Sequence, residues 1–114
     1  MPRRDWYCED VLTHKIKVNI IFEDDLVLAF HHPFPDKNAK VHAVAVPKKH
    51  VASAMSPEAV NGKLLESLIK AVQAVASTTG IDKTGEGFYI TFSAESPGVT
   101  PHMHWHIRAP IPQA

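Results

Sequence analysis

Short apolar runs separated by polar turns make up most of the chain, and their lengths are typical of β-strands. Such runs, when rich in Val, Ile and Phe and bounded by acidic residues, proline or glycine, favour strands over helices. The pattern predicts strands over residues 18–22, 26–30, 41–46 and 88–92. The acidic turn at residues 23–25 lies between the first two runs, so these two strands are predicted to form a hairpin.

One longer segment has the spacing of an amphipathic helix. Apolar residues recur between Leu64 and Val75 at intervals of one, three and four positions, which places them on one face of a helix. Ser56 followed by Pro57 predicts the start of this helix, because serine is a favoured N-cap and proline a favoured first residue. Gly80 predicts its end.

The order of these elements predicts the fold class. Residues 5–11 are expected to form a short helix or turn, with Asp5 as a candidate N-cap. Strands in pairs around one long helix predict an α+β domain with an antiparallel sheet. At 114 residues, of which 45% are hydrophobic, the chain is expected to form a single domain, 1–114, whose core needs no disulfide.

Charge and composition argue against several functional classes. Twelve basic residues balance twelve acidic ones, whereas a nucleic-acid or membrane-surface partner usually requires a basic excess. No apolar run reaches the ~20 residues of a membrane helix, and the N-terminus lacks the apolar stretch of a signal peptide. Cys8 is the single cysteine, which fits a reducing compartment. We therefore expect a cytoplasmic protein that binds neither nucleic acid nor membrane.

Candidate chemistry is concentrated in residues 101–108. His102, His104 and His106 alternate there with apolar residues. Alternate residues of a strand share a face, so a fifth strand here would present three imidazoles on one side and an apolar face to the core. Charged imidazoles packed this closely would repel one another, so the row is expected to be mostly neutral.

This histidine row has three interpretations. Ordinary structural histidines are the first, although a row of three contributes little stability. A zinc site is the second, but three alternate strand positions span ~13 Å, so His42 or His50 would have to supply the third ligand. Nucleophilic attack on phosphorus is the third, because a neutral imidazole is a good nucleophile near pH 7 and its neighbours can donate hydrogen bonds to phosphate oxygens.

Motifs along the chain resemble a known family. Residues 101–107 are similar to the histidine-triad (HIT) signature His-φ-His-φ-His-φ-φ, in which φ is apolar. Residues 20–25, 28–31 and 42–50 resemble, in the same order, the histidine-triad nucleotide-binding (Hint) branch of that family. The resemblance implies a HIT-like α+β fold with a five-stranded antiparallel sheet, one long helix and a short N-terminal helix. It also implies a homodimer.

The resemblance further implies an activity. Family members hydrolyse or transfer at the α-phosphate of a purine nucleotide (an AMP- or GMP-like group), typically a nucleoside phosphoramidate. His104 would be the nucleophile that forms a nucleotidyl intermediate, His102 and His106 would support the phosphate and leaving group, and His42 would orient the triad. No cofactor or metal is required. Some members bind structural zinc through a cysteine pair, and Cys8 alone predicts no such site.

The resemblance also implies where substrate binds. The expected substrate-binding residues are Tyr7, His31, His32, Thr91, Val99 and Thr100. His32 stands where the Hint branch has a ribose-binding aspartate, and the glutamine expected before the triad is missing. A neutral imidazole with one acceptor cannot copy a carboxylate that accepts two sugar hydroxyls. Two alternatives therefore accompany the enzyme hypothesis, namely a nucleotide-binding or interaction protein with little turnover, and a zinc-dependent hydrolase.

Overall fold

The protein folds around one antiparallel sheet, as the α+β prediction requires. The structure is a computed structural model that describes residues 5–95 and 100–112. Its five strands are β1 (Ile20–Glu23), β2 (Val27–His31), β3 (Val41–Pro47), β4 (Tyr89–Thr91) and β5 (Trp105–Ala109). The strand order is β1-β2-β3-β5-β4, and all four neighbouring pairs are antiparallel. The predicted fold class is therefore confirmed.

The central strands β2 and β3 are buried on both faces, because both faces are covered. This is why they read as continuous apolar runs rather than as an alternating pattern. Helix α1 (Gly62–Thr79) covers one face. The core on that side includes Val27, Ala29, Ala43, Ala45, Leu68, Val75 and Ile107. On the opposite face, Phe30 and Val44 pack against Tyr7 and Val11 from an N-terminal helical turn.

That N-terminal turn agrees with the prediction for residues 5–11. It is a wide helical turn over Tyr7–Val11, and the Asp5 side chain accepts a hydrogen bond from the Cys8 backbone N–H at 3.0 Å. This contact satisfies one of the amide groups that a helix start leaves unpaired. The turn is held over the second face of the sheet, close to the histidines.

The predicted start of the long helix is wrong. Ser56 and Pro57 begin a separate three-residue 3₁₀-helix, Pro57–Ala59, and α1 begins only at Gly62. The side chain of Asn61 accepts a hydrogen bond from the backbone of Leu64 at 3.0 Å, which makes Asn61 the N-cap. The predicted end is confirmed, because Gly80 has a φ of 79° that favours glycine.

Strand boundaries also differ from the prediction, most of all at the histidines. Residues 101–108 were expected to be one strand, but β5 begins only at Trp105, so of the three histidines only His106 lies in it. The backbone N–H of Met103 donates to the carbonyl oxygen of Val51 at 2.7 Å. Val51 lies in a loop, so Met103 is bonded to that loop instead of to a neighbouring strand. Among the helices that the structure describes, none is long and apolar enough to span a membrane.

Candidate active site

His42 and His106 lie side by side on the face of the sheet opposite α1. In the β3–β5 pairing, His106 is the partner of Val44 and His42 is the partner of Arg108. Directly paired residues share a face, and Val44 belongs to the side covered by the N-terminal turn. The two imidazole rings are 5.0 Å apart between centroids.

The other two histidines keep their rings on this side although they precede the strand. The ring of Tyr7 lies 4.9 Å from that of His104 and 5.7 Å from that of His102, and the His104 ring lies 4.9 Å from that of His106. The three imidazoles therefore do lie in a row. His102 and His104 lie outside the paired strand, and their rings pack against Tyr7.

His102 is buried and held by three separate groups. His102 is 1% exposed, and its Nε2 donates a hydrogen bond to the Pro47 carbonyl oxygen at 2.8 Å. Its other nitrogen, Nδ1, lies 3.0 Å from an Asp5 carboxylate oxygen and 3.2 Å from the Cys8 sulfur. Both ring nitrogens are thus engaged within the protein. This placement separates His102 from the role at the phosphate that the resemblance implied.

Hydrogen bonds determine which nitrogen of His42 and His106 carries the proton. The backbone N–H of Asp36 donates to Nδ1 of His42 at 2.9 Å, so the proton of neutral His42 is on Nε2. That Nε2 lies 2.8 Å from Nδ1 of His106 and donates to it. His106 therefore carries its own proton on Nε2. This series of hydrogen bonds, from Asp36 through His42 to His106, leaves an N–H group on Nε2 of His106.

His104 has the opposite arrangement. Its Nδ1 donates to the backbone carbonyl oxygen of His102 at 2.6 Å, so Nε2 has a free electron pair. His104 lines an open cavity of about 380 Å³. The other lining residues are Trp6, Tyr7, His32, Phe34, Thr100 and His106. A nucleophilic nitrogen, an N–H donor and aromatic surfaces are brought together in this cavity.

Burial keeps the histidines of the site neutral. It lowers the pKa of His104, and the neighbouring His102 adds to this effect, while the bond to the His102 carbonyl opposes it. Burial, followed by His104 and Arg108, lowers the pKa of His106 to about 3. Burial and then Arg108 lower the pKa of His42 to about 4. All three rings are therefore neutral near pH 7, and each carries a single ring proton.

The structure brings three of the six predicted substrate-binding residues to this cavity. Tyr7, His32 and Thr100 line it. His31 pairs with Ala43, whose side chain belongs to the α1 face, so His31 is separated from the cavity. Thr91 is the β4 partner of His106. Val99 lies outside the described residues.

Sequence reasoning missed three residues near the site. Arg108 continues the alternation of the histidines and lies on their face, where its Nη1 donates to the Thr91 hydroxyl at 2.8 Å. The sequence did contain a signal for Arg108, because it follows His106 by two residues, the same spacing that separates the three histidines. Trp6 and Phe34 contribute aromatic walls to the cavity, and nothing in the local pattern distinguished them from ordinary packing residues.

A second cluster of polar side chains lies behind the triad. It consists of Asp5, Cys8, His50 and His102, called the Asp5 cluster below, and its candidate ligand atoms all lie within 4.8 Å of one another. His50 Nδ1 is 2.6 Å from the Asp5 carboxylate and 3.5 Å from the Cys8 sulfur. Burial, with the Asp5 carboxylate, raises the pKa of the Cys8 thiol to about 12.

The Asp5 cluster fits a zinc ion. Thiolate, imidazole and carboxylate are its usual ligands, and four of them close a structural site. Because Nε2 of His102 donates to Pro47, Nδ1 is the ring nitrogen that faces the cluster, 3.0 Å from the Asp5 carboxylate. The expectation of no zinc site near Cys8 counted cysteines alone. The structure does not test that expectation directly, but the four candidate ligands of the Asp5 cluster argue against it.

A third group, His32, His42 and His106, also has ring nitrogens within 4.8 Å. It fits a metal poorly. A metal-bound neutral imidazole keeps its proton on the other nitrogen, but in His42 that nitrogen accepts the Asp36 N–H, and in His32 it accepts the Phe34 N–H. Two backbone bonds would have to break, which disfavours the zinc-dependent hydrolase considered above.

Comparison with known proteins identifies the family of the chain. The family model described as "HIT domain" matches residues 13–111. An uncharacterised HIT-like protein of Synechocystis is 35% identical over 101 residues, which are 85% of this chain and 82% of that protein. Another, from Synechococcus elongatus, is 31% identical over 97 residues, with 85% and 81% covered.

Solved structures give the same answer. A histidine triad protein from Clostridium difficile superposes with a TM-score of 0.73 at 29% identity, covering 100% of this chain and 99% of that one. A HIT family hydrolase from Legionella pneumophila has a TM-score of 0.74 at 26% identity, covering 95% and 94%. These matches do not single out the Hint branch. They show that the chain belongs to the HIT domain family.

Proposed function

We propose that this chain is a nucleotide hydrolase or transferase of the Hint type, which acts at the α-phosphate of a purine nucleoside phosphoramidate through a covalent His104 intermediate. One observation carries the proposal. The Nδ1 proton of His104 is bonded to the His102 carbonyl oxygen at 2.6 Å, which leaves Nε2 as a free base at an open cavity. A neutral imidazole in this state attacks phosphorus without first losing a proton.

The proposed reaction has two steps. In the first, Nε2 of His104 forms a bond to the α-phosphorus as the phosphorus–nitrogen bond of the substrate breaks, and the amine leaves after taking a proton from solvent. In the second, water attacks phosphorus and loses a proton to solvent, the bond to Nε2 breaks, and a nucleoside monophosphate and neutral His104 are released. His106 would donate its Nε2 proton in a hydrogen bond to a phosphate oxygen in both steps, and His42 would hold it in that tautomer.

Two other features support an anionic, aromatic ligand. The guanidinium of Arg108 is on the same face as His42 and His106 and favours negative charge there, with part of its charge offset by the Asp36 carboxylate, 3.5 Å from its Nε. Trp6, Tyr7 and Phe34 supply aromatic surface in the cavity, on which a purine can stack. A zinc ion in the Asp5 cluster would have a structural role, tying the N-terminal turn to the segment before β5.

Amine release tests the proposal. The protein is incubated with adenosine 5′-phosphoramidate, and His104→Asn is compared with His14→Asn, because both variants replace a histidine with asparagine and His14 is exposed. We expect release by the unaltered protein and by His14→Asn, and a loss of at least about 10³-fold in His104→Asn. Equal rates for the two variants would contradict the assignment of His104. Binding without release by the unaltered protein would favour a nucleotide-binding protein with little turnover.

We also propose that two copies pair through β4. In the part of the chain that the structure describes, β4 pairs only with β5. Ile90 within β4 and Phe92 directly after it are 36% and 45% exposed. An open strand edge flanked by apolar side chains is a template for a second strand. Sedimentation analysis should show a dimer that Phe92→Lys converts to monomer. A monomeric unaltered protein at micromolar concentration would contradict this proposal.

A further inference from the structure

His32 is a hydrogen-bond donor toward the cavity and offers no acceptor. Its Nδ1 accepts a hydrogen bond from the backbone N–H of Phe34, two residues later, at 3.0 Å. This geometry copies the turn in which an Asp or Asn side chain accepts from the backbone two residues on. The acceptor nitrogen is therefore occupied, and the proton of the neutral ring is on Nε2.

The ring of His32 is held in place by stacking against two other rings. Its centroid is 4.6 Å from that of His42, with an interplanar angle of 22°, and 6.3 Å from that of Trp6, with an angle of 24°. Burial, followed by His104 and Arg108, lowers the pKa of His32. His32 is thus a neutral donor with little rotational freedom near pH 7.

The position of His32 is where the sugar of a nucleotide would lie. A sugar connects the phosphate to the base, and the proposed phosphate position is beside His104 and His106. The aromatic rings of Trp6 and Phe34 lie 6.3 and 6.4 Å from the His32 ring, and the ring of His106 lies 5.8 Å from it on the same cavity. A nucleotide stretched from the histidines to the aromatic walls therefore passes His32.

The described residues that line the cavity supply no charged acceptor for a vicinal diol. A carboxylate accepts both hydroxyl protons of a ribose, but no carboxylate is among the described residues that line the cavity. A ribose 2′-hydroxyl would gain no charged acceptor there, and its removal would leave no buried acceptor unpaired. A site of this kind discriminates weakly between ligands with and without the hydroxyl.

Resting on the proposed function, we propose that His32 sets the sugar specificity of this site, and that the site accepts ribonucleotides and 2′-deoxyribonucleotides alike. The sugar is contacted by an N–H donor, and the ribose diol is not recognised. A single substitution that supplies a free acceptor at position 32 then creates ribose selectivity.

The test compares His32→Asp with His32→Asn. In either variant, one side-chain oxygen can replace Nδ1 as the acceptor of the Phe34 N–H. The second group toward the cavity is then a carboxylate oxygen in aspartate and an amide N–H in asparagine. The two variants lose the same stacking and have nearly the same shape, so they differ in acceptor and charge alone.

Two ratios are measured for each protein. Calorimetry gives the ratio of Kd for AMP and 2′-deoxy-AMP, and amine release gives the ratio of kcat/KM for the matching phosphoramidates. We expect both ratios within about threefold for the unaltered protein and for His32→Asn. For His32→Asp we expect a preference for the ribonucleotide of about tenfold or more, because a hydroxyl then donates to a charged acceptor. Thermal melting checks that each variant is folded.

The outcomes separate this inference from the proposed function. A preference for ribonucleotides of about tenfold in the unaltered protein would overturn the inference and leave the nucleotidyl chemistry intact. Ribose selectivity in both variants, or in neither, would overturn the role of the acceptor. If the unaltered protein neither binds nor turns over any nucleotide, the proposed function fails and the inference fails with it. If His32→Asp does not fold, the ratio of the unaltered protein still decides whether the site accepts both sugars, and a ribonucleotide preference in His32→Asn would overturn the role of the acceptor.

Discussion

Replacing His102 with alanine should weaken the fold far more than the chemistry. The imidazole is 1% exposed and donates to the Pro47 carbonyl at 2.8 Å. Removing the donor leaves a buried carbonyl oxygen unpaired, which costs about 1–3 kcal/mol. Loss of the ring leaves a cavity, and large-to-small changes in a core cost about 2–5 kcal/mol. These two effects overlap, so we expect His102→Ala to lower the free energy of unfolding by about 3–5 kcal/mol.

Catalysis should survive this change while the protein remains folded. Nδ1 of His104 donates to the backbone oxygen of His102, and alanine keeps that oxygen. We therefore expect His102→Ala to retain kcat within about tenfold, against a loss of about 10³-fold in His104→Asn. Urea unfolding, followed by the fluorescence of Trp6 and Trp105, measures stability, and amine release in the absence of urea measures turnover. A His102→Ala protein of unchanged stability that is as inactive as His104→Asn would refute this reasoning.

Three further predictions concern pH, metal and the long helix. His42 and His106 have pKa values of about 4 and about 3 in the fold, below the ordinary 6.5. As the pH falls, the unfolded chain therefore takes up protons before the folded one, and stability should drop between pH 6.5 and about 4. A urea midpoint that stays constant over this range would contradict the prediction. One equivalent of Co²⁺ should give a sulfur-to-metal absorption band and raise Tm, and both effects should vanish in Cys8→Ser. A spectrum without the band, or a band that persists in Cys8→Ser, would exclude the Asp5 cluster as the metal site. Asn61→Ala should destabilise the protein by about 1 kcal/mol in chemical unfolding, with Asn61→Asp close to neutral; equal losses in the two would argue against the cap.

The fold could be predicted from the sequence because its elements differ in period. Strands and helix follow from where the apolar residues recur. The shared side of the three imidazoles was predicted from their alternation, but only His106 lies in a strand, and Tyr7 packs against the other two rings. The start of α1 could not be predicted, because Ser56 and Asn61 are both favoured N-cap residues. The backbone conformation between them determines which of the two caps α1. In the structure, Val60 has a ψ of 79° and Asn61 is extended, so the helix begins again after them.

The site was predicted less completely, for reasons of distance along the chain. The burial of His102 depends on Pro47 and Asp5, which are 55 and 97 residues away. No local pattern reports such contacts. The proton positions on His42 and His32 depend on backbone N–H groups of the loop after β2, and these distinguish a donor from an acceptor only once the loop is seen.

The central claim is that Nε2 of His104 attacks phosphorus, and intact-protein mass spectrometry tests it most directly. The protein is mixed with adenosine 5′-phosphoramidate and quenched within the first turnover, then digested to locate any added mass. The account predicts one adenylyl group on His104, absent from His104→Asn and present in His14→Asn. Turnover without any adduct, or an adduct on another histidine, would contradict it.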